Sequence, residues 1–259
     1  MSRTIRAVLL DIEGTTTPIR FVYEVLFPYA RRHVRRYVEQ HAASPEHAPL
    51  YDRLRDEHAS DRAAAEAVPP WIDQPPAARA GSILSYLEWL MDRDRKSTAL
   101  KSLQGLIWEQ GYRGGDLVGE VFADVPVALA RWRAQRIDVG IFSSGSVLAQ
   151  QLLFRHSSAG DLTPLLRWHF DTTTGPKTDP ESYRRIAAAM GIPAANVLFV
   201  SDIAAELDAA RTAGMQTRLC LRPGNRPPPP SHGHTEVRTF DDLTVTEASR
   251  EPPSPPLTQ

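Results

Sequence analysis

The chain has 259 residues, 42% hydrophobic and 24% charged, the balance of a globular protein long enough to bury a sizeable core as one large domain or as a core carrying an insertion. Thirty lysines and arginines stand against 31 aspartates and glutamates, so a net charge of -1 provides no field to attract nucleic acid or an anionic membrane, and selectivity must come from a local site. The single cysteine, Cys220, excludes an internal disulfide framework, no apolar run can span a bilayer, and the run behind Arg3 and Arg6 breaks at Asp11, too early for a signal segment; a cytoplasmic protein with no membrane partner is expected.

Ala7 to Leu10 form a short continuous apolar run, the pattern of a strand buried on both faces. It ends abruptly in Asp11, Ile12, Glu13, Gly14 and the threonines 15 to 17. Gly14 lets the backbone turn sharply, and Asp11 falls at the strand's carboxyl end, where open α/β sheets place their ligands. Taken alone, the stretch reads equally well as a strand that stops at a solvated turn.

After Pro18 the pattern becomes helical for about a hundred residues, which points to a module inserted in a βαβ chain. Phe21 to Val38 show apolar residues at three- and four-residue intervals, with Pro28 expected to start or kink a helix there. The basic run Arg31 to Arg36 lies on that pattern and reads as a solvated face. A second helix is expected over Pro45 to Ala67. Pro69-Pro70 and Pro75-Pro76 bracket a loop with Trp71, a third helix buries Ile83, Leu84, Leu87, Leu90 and Met91, and a fourth runs from Thr98 to Gln110 before Gly111, Gly114 and Gly115.

From Val118 short strands and helices alternate again. Asp124-Val125-Pro126 has the form of a helix start with an acidic cap. Ile137 to Phe142 is a strand ending in Ser143-Ser144-Gly145-Ser146, ahead of a helix from Val147 to His156; hydroxyls and free N-H groups at a helix start suit an anion, although serines are also ordinary caps. Trp168 to Asp171 is a short strand, Lys177 precedes a helix over Pro180 to Met190, and Asn196 to Ser201 is a buried strand that ends in Asp202 and leads to a helix with Glu206 and Asp208. Thr217 to Leu221 is the last strand expected. Beyond it the prolines 227 to 230 and the run Glu251 to Pro256 read as loop and tail, Thr239 to Leu243 as a docked turn, and His232 with His234 lack the further ligands a zinc site needs.

In a parallel sheet these strand ends converge on one edge. Asp11 and Asp202 can then ligate Mg²⁺, which favours hard oxygen ligands, while Lys177 and the hydroxyls of Ser143 and Ser144 neutralise and orient phosphoryl oxygens. Asp11 can also attack phosphorus. The fold class expected is α/β, a doubly wound parallel sheet with an inserted helical domain.

These residues resemble the haloacid dehalogenase-like phosphohydrolases, whose first motif D-x-D-G-T is followed by a Ser/Thr after a strand, a Lys and a closing acidic motif. Here they would be Asp11 to Thr15, Ser143, Lys177, and Asp202 with Glu206. Position 13 departs from the pattern, being Glu where most such phosphatases have the Asp that protonates the leaving group. The longer string Asp11 to Ile19, with Phe27-Pro28-Tyr29-Ala30, Ser143 to Ser146 and Arg222-Pro223-Gly224-Asn225, is similar to the enolase-phosphatases of methionine salvage, and the likeness runs from Ala7 to about Asn225.

The Pro-rich stretch over 226–259 lies outside the likeness and reads from its composition as a flexible tail; the resemblance implies a core over residues 1–19 and 117–225 and a helical cap over 20–116. It further implies a monomer with one Mg²⁺ per subunit, held by Asp11, Asp202 and the backbone carbonyl of Glu13. The implied reaction takes a small phosphorylated diketone, 2,3-diketo-5-methylthiopentyl-1-phosphate, through enolisation and phosphate hydrolysis to an acireductone. The Glu13 side chain is then free for proton transfer, beside Asp11 and Lys177 as the other catalytic residues. Two alternatives remain at this point: a phosphatase of the same superfamily for another sugar or keto phosphate, and a phospho-accepting receiver module, which the long insertion and the D-x-E-G-T string disfavour.

Overall fold

The structure, a computed structural model, describes residues 4–64 and 66–243, so the proline run from Glu251 and the end of the expected tail lie outside the described residues. Among the described residues six strands form one all-parallel sheet: β1 (Ala7–Leu10), β2 (Asp138–Phe142), β3 (Trp168–Phe170), β4 (Val197–Ser201), β5 (Gln216–Cys220) and β6 (Glu236–Val237), in the order β3-β2-β1-β4-β5-β6. All four residues of β1 are buried, which is why its sequence is continuously apolar rather than alternating. β1 lies in the middle, where the strand order reverses, and the crevice beyond the carboxyl ends at that point is the usual ligand site of such sheets.

Register explains the convergence. Leu10 stands opposite Ile141 on one side and Val200 on the other, so the next steps along the three chains bring Asp11, Ser143 and Ser201 to the same edge. Leu9, Phe142, Tyr183, Ile186, Val197, Phe199 and Leu207 belong to one buried cluster on the sheet.

The eight α-helices among the described residues are α1 (Phe27–His41), α2 (Ala48–Ala63), α3 (Pro76–Asp92), α4 (Thr98–Gly114), α5 (Asp124–Ala134), α6 (Val147–Arg155), α7 (Pro180–Met190) and α8 (Ala204–Thr212). The chain divides into two compact units. One takes in the sheet, α5, α7 and α8, with the described residues up to Thr17, Val121–Ser144 and those from Leu162 onward; the other is Pro18–Glu120 with Gly145–Asp161, and is helical. No helix among the described residues is long and apolar enough to cross a membrane.

Several boundaries differ from expectation. A π-helical turn, Phe21–Leu26, runs directly into α1, so Pro28 lies near the start of α1 but inside a continuous helical stretch. The helix expected from Pro45 opens with a tight 3-10 turn over Pro45–His47, and α2 stops at Ala63, ahead of Pro69-Pro70. Ser97 caps α4 by accepting from Leu100 N, and this helix runs on past Gly111 because the bare Cα there admits the Tyr29 ring: a Cβ would lie 2.7 Å from Tyr29 Cζ.

The stretch after Arg226 is not all tail. β6 adds to the sheet, with Leu219 N-H donating to the Thr235 carbonyl and Leu221 N-H to that of Val237. Phe240 then packs on Trp132, ring centres 5.6 Å apart. Two residues of strand behind a run of prolines carry no periodic signal, and β6 exists because β5 leaves an edge to pair with. The His234 ring is buried between Thr217 and Asp208, a packing role, and Cys220 is buried in β5 as expected.

Candidate active site

The turn after β1 is built by its own backbone. The Ile12 carbonyl accepts from the N-H groups of Thr15, Thr16 and Thr17, and Gly14 N-H donates to the Thr17 carbonyl at 2.8 Å. The other carbonyls are taken as well: Asp11 by Thr16 Oγ1, Gly14 by Asn225 Nδ2 at 2.9 Å, Thr15 by Arg222 Nε at 3.2 Å and Thr16 by Phe122 N. From Asp11 to Thr17, the carbonyl of Glu13 alone has no hydrogen-bond donor assigned to it among the described residues.

Gly14 is required twice over. Its φ is +72°, a region other residues enter at a cost, and a Cβ would lie 2.5 Å from Asp202 Oδ2. Gly14→Ala is therefore expected to lower the unfolding free energy by about 1–3 kcal/mol, read as a shifted midpoint in a urea titration. An unmoved midpoint would show that the turn relaxes around a side chain.

Lys177 forms the centre of the side-chain network. Its Nζ lies 2.5 Å from Asp11 Oδ1 and 2.7 Å from Glu206 Oε2, with the lysine and Asp11 side chains almost wholly buried. Its backbone is fixed by α7, from which Tyr183 Oη donates to the Lys177 carbonyl at 2.7 Å and Ser182 Oγ to that of Pro176 at 2.8 Å. Ser201, at the end of β4, lies 2.9 Å from Glu206 Oε2 and 3.4 Å from Asp11 Oδ2. On the other side Ser143 Oγ faces Glu13 Oε2 at 3.4 Å.

Asp11, Glu13, Asp202 and Glu206 gather around one ammonium, so negative charge is in excess. Burial, and after it the Asp11 charge, push the carboxyls of Glu13, Asp202 and Glu206 up, the last two to about 7. Burial alone would lower the Lys177 pKa, but the charges of Asp11, Glu206 and Glu13 more than reverse this and keep it protonated.

An all-oxygen set with surplus negative charge and one unclaimed carbonyl suits a small, hard divalent cation. No group of three or more His, Cys, Asp or Glu side chains among the described residues forms a ready-made metal cage. Such an ion would take few protein oxygens and keep much of its water shell.

The structure thus brings Asp11, Glu13, Ser143, Lys177 and Asp202 to one sheet edge, while Ser144, the next residue along, is exposed. Sequence reasoning underrated Ser201, Glu206 and Asp124. Asp124 begins α5 but its carboxylate does not cap it; it accepts from Phe240 N and pairs with Arg222 Nη2 at 2.8 Å. Glu206 is read as part of the closing acidic motif with Asp202, and Ser201 could have been found by extending the strand register one residue past the apolar run.

The haloacid dehalogenase-like hydrolase model matches residues 5–214. Enolase-phosphatase E1 of Synechococcus elongatus is 54% identical over 240 residues, covering 93% of this chain and 98% of the relative, and that of Pseudomonas aeruginosa is 47% identical over 242 residues, covering 93% and 99%. The chain belongs to the enolase-phosphatase E1 family. The Glu13 side chain, on the residue whose carbonyl is left open, lies 3.4 Å from Ser143 Oγ. Among solved structures, the UTR4 protein of Saccharomyces cerevisiae superposes with a TM-score of 0.74 at 34% identity, covering 93% of this chain and 100% of that one. CbbY of Rhodobacter sphaeroides in complex with phosphate shares the fold, with a TM-score of 0.56 at 14% identity, covering 93% and 96%.

Proposed function

We propose that this enolase-phosphatase converts 2,3-diketo-5-methylthiopentyl-1-phosphate into 1,2-dihydroxy-3-keto-5-methylthiopentene and phosphate, the acireductone-forming step of methionine salvage. The observation that carries the reading is the likeness to the E1 enzymes along 93% of the chain, and the strand-end chemistry supports it. In this reading the protein is a cytoplasmic monomer acting on a small phosphorylated diketone with one Mg²⁺ per subunit.

Asp11, Asp202 and the Glu13 carbonyl would hold the metal. Bound there, Mg²⁺ supplies charge stabilisation at a carbonyl oxygen as an enolate forms and at phosphoryl oxygens. Two of the three N-H groups of Lys177 point to Asp11 and Glu206, which leaves one for a phosphoryl oxygen. Ser143 and Ser144 orient the same group. Asp11 Oδ1 is tied to the lysine and Oδ2 lies 3.4 Å from Ser201 Oγ, contacts that orient the carboxylate that addresses phosphorus. Glu13, its carboxyl pushed up by burial and by the Asp11 charge, is the group that holds and moves a proton.

The decisive assay is anaerobic incubation with the diketo phosphate, following acireductone absorbance and free phosphate together. Both should appear in step. Phosphate released from simple esters with no acireductone from the diketone would overturn the assignment in favour of a phosphatase for another substrate. Glu13→Asp, one methylene shorter, is expected to slow acireductone formation by about 10²-fold. Unchanged rates would remove the reach of Glu13 from the mechanism.

A further inference from the structure

The loop after β5 reaches back to the turn after β1. Arg222 is buried, its guanidinium centre 4.5 Å from the Phe122 ring centre and 4.7 Å from that of Phe240, and it pairs with Asp124 while donating to the Thr15 and Arg238 carbonyls. Three residues on, Asn225 is held to this anchor by its own N-H, which donates to the Arg222 carbonyl at 3.1 Å. The Asn225 Nδ2 donates to two carbonyls, Gly14 at 2.9 Å and Cys220 at 3.2 Å. Those two acceptors fix which end of the amide is nitrogen, because a flipped amide would press oxygen against oxygen.

The oxygen end is then the unusual one. Asn225 Oδ1 is buried and has no hydrogen-bond partner among the described residues. It flanks the bare Cα of Gly14 with Asp202: a Cβ built there would lie 2.5 Å from Asp202 Oδ2 and 2.9 Å from Asn225 Oδ1. A buried amide oxygen without a donor is costly, and such sites are commonly completed by water or an ion's hydration shell.

We infer that Asn225 is a positioning residue for the metal centre: its Nδ2 ties back the Gly14 carbonyl, leaving that of Glu13 for the ion, and its Oδ1 accepts a hydrogen bond from water in the ion's shell. The inference rests on the Mg²⁺ site proposed above. It gives the Arg222 to Asn225 segment a task that neither the strand-end carboxylates nor the lysine performs. Groups behind the direct ligands of a metal typically set its affinity through such contacts.

The test is calorimetric titration of Mg²⁺ into metal-free wild type and Asn225→Ala, with thermal melting of both metal-free proteins. Wild type should bind one equivalent. Asn225→Ala should bind about 10–100-fold more weakly, and its turnover should recover at correspondingly higher Mg²⁺. If Asn225→Ala does not fold, Asn225→Ser is titrated in its place with the same expectation. Equal affinity in wild type and a folded variant overturns the inference alone; no binding to wild type overturns the metal reading and the inference with it.

Discussion

Asp11→Asn is expected to abolish turnover of the diketo phosphate, by about 10⁴-fold or more, equivalent to roughly 5.4 kcal/mol of transition-state stabilisation. The change is nearly isosteric, yet it removes the carboxylate charge that would hold the metal and face phosphorus. Stability should change little. Lys177 keeps its 2.7 Å contact to Glu206, and an amide relieves the crowding of carboxylates that raises Glu13, Asp202 and Glu206. Phosphate release and a thermal melt on the same preparation separate the two effects. A tetrahedral or trigonal phosphate analogue should saturate wild type one-to-one and fail to bind Asp11→Asn; a variant within tenfold of wild type would displace Asp11 from the centre of the site.

Lys177→Met should be as damaging to turnover and far more damaging to the metal-free fold. It leaves four carboxylates with no cation among them, and stripping one partner from a buried ion pair typically costs about 3–5 kcal/mol. The pH response follows from Asp202 and Glu206, whose folded values of about 7 lie above their ordinary carboxylate range. Between that range and pH 7 the folded protein binds more protons than the unfolded chain, so this contribution to stability declines as pH rises through the interval. Metal-free wild type should therefore melt lower at pH 8 than at pH 5.5, and Lys177→Met should show a steeper fall. Mg²⁺ should restore most of the loss at pH 8, where the carboxylates are ionised, and little at pH 5.5. A flat pH response in chelator would overturn the charge argument.

What could be read in advance was whatever a short window of sequence specifies. β1 is fully buried and so appears as an unbroken apolar run, and α7 begins and ends where its proline and glycine place it. The strand-end positions of Asp11 and Asp202, and the place of Lys177 in the loop ahead of α7, followed from those elements. The remainder depends on partners far away along the chain. Asn225 donates to a carbonyl 211 residues earlier, Arg222 pairs with Asp124 rather than leaving it to cap α5, and β6 is defined by the strand it pairs with. None of these leaves a local pattern, because the residues involved are ordinary loop residues until the sheet has formed.

The central place of β1 also bears on how the protein is made. Ala7 pairs with Asp138 on one flank and Val197 on the other, so the earliest strand to emerge during synthesis waits for much of the chain before either neighbour exists. Folding that depends on such distant pairings is slow, since long loops must close before any contact repays them. Catalytic competence and global folding therefore arrive together. In refolding experiments activity should return with the tertiary signal and not with the earlier helical one, and a ribosome-bound chain that has released only the helical insertion should be inert.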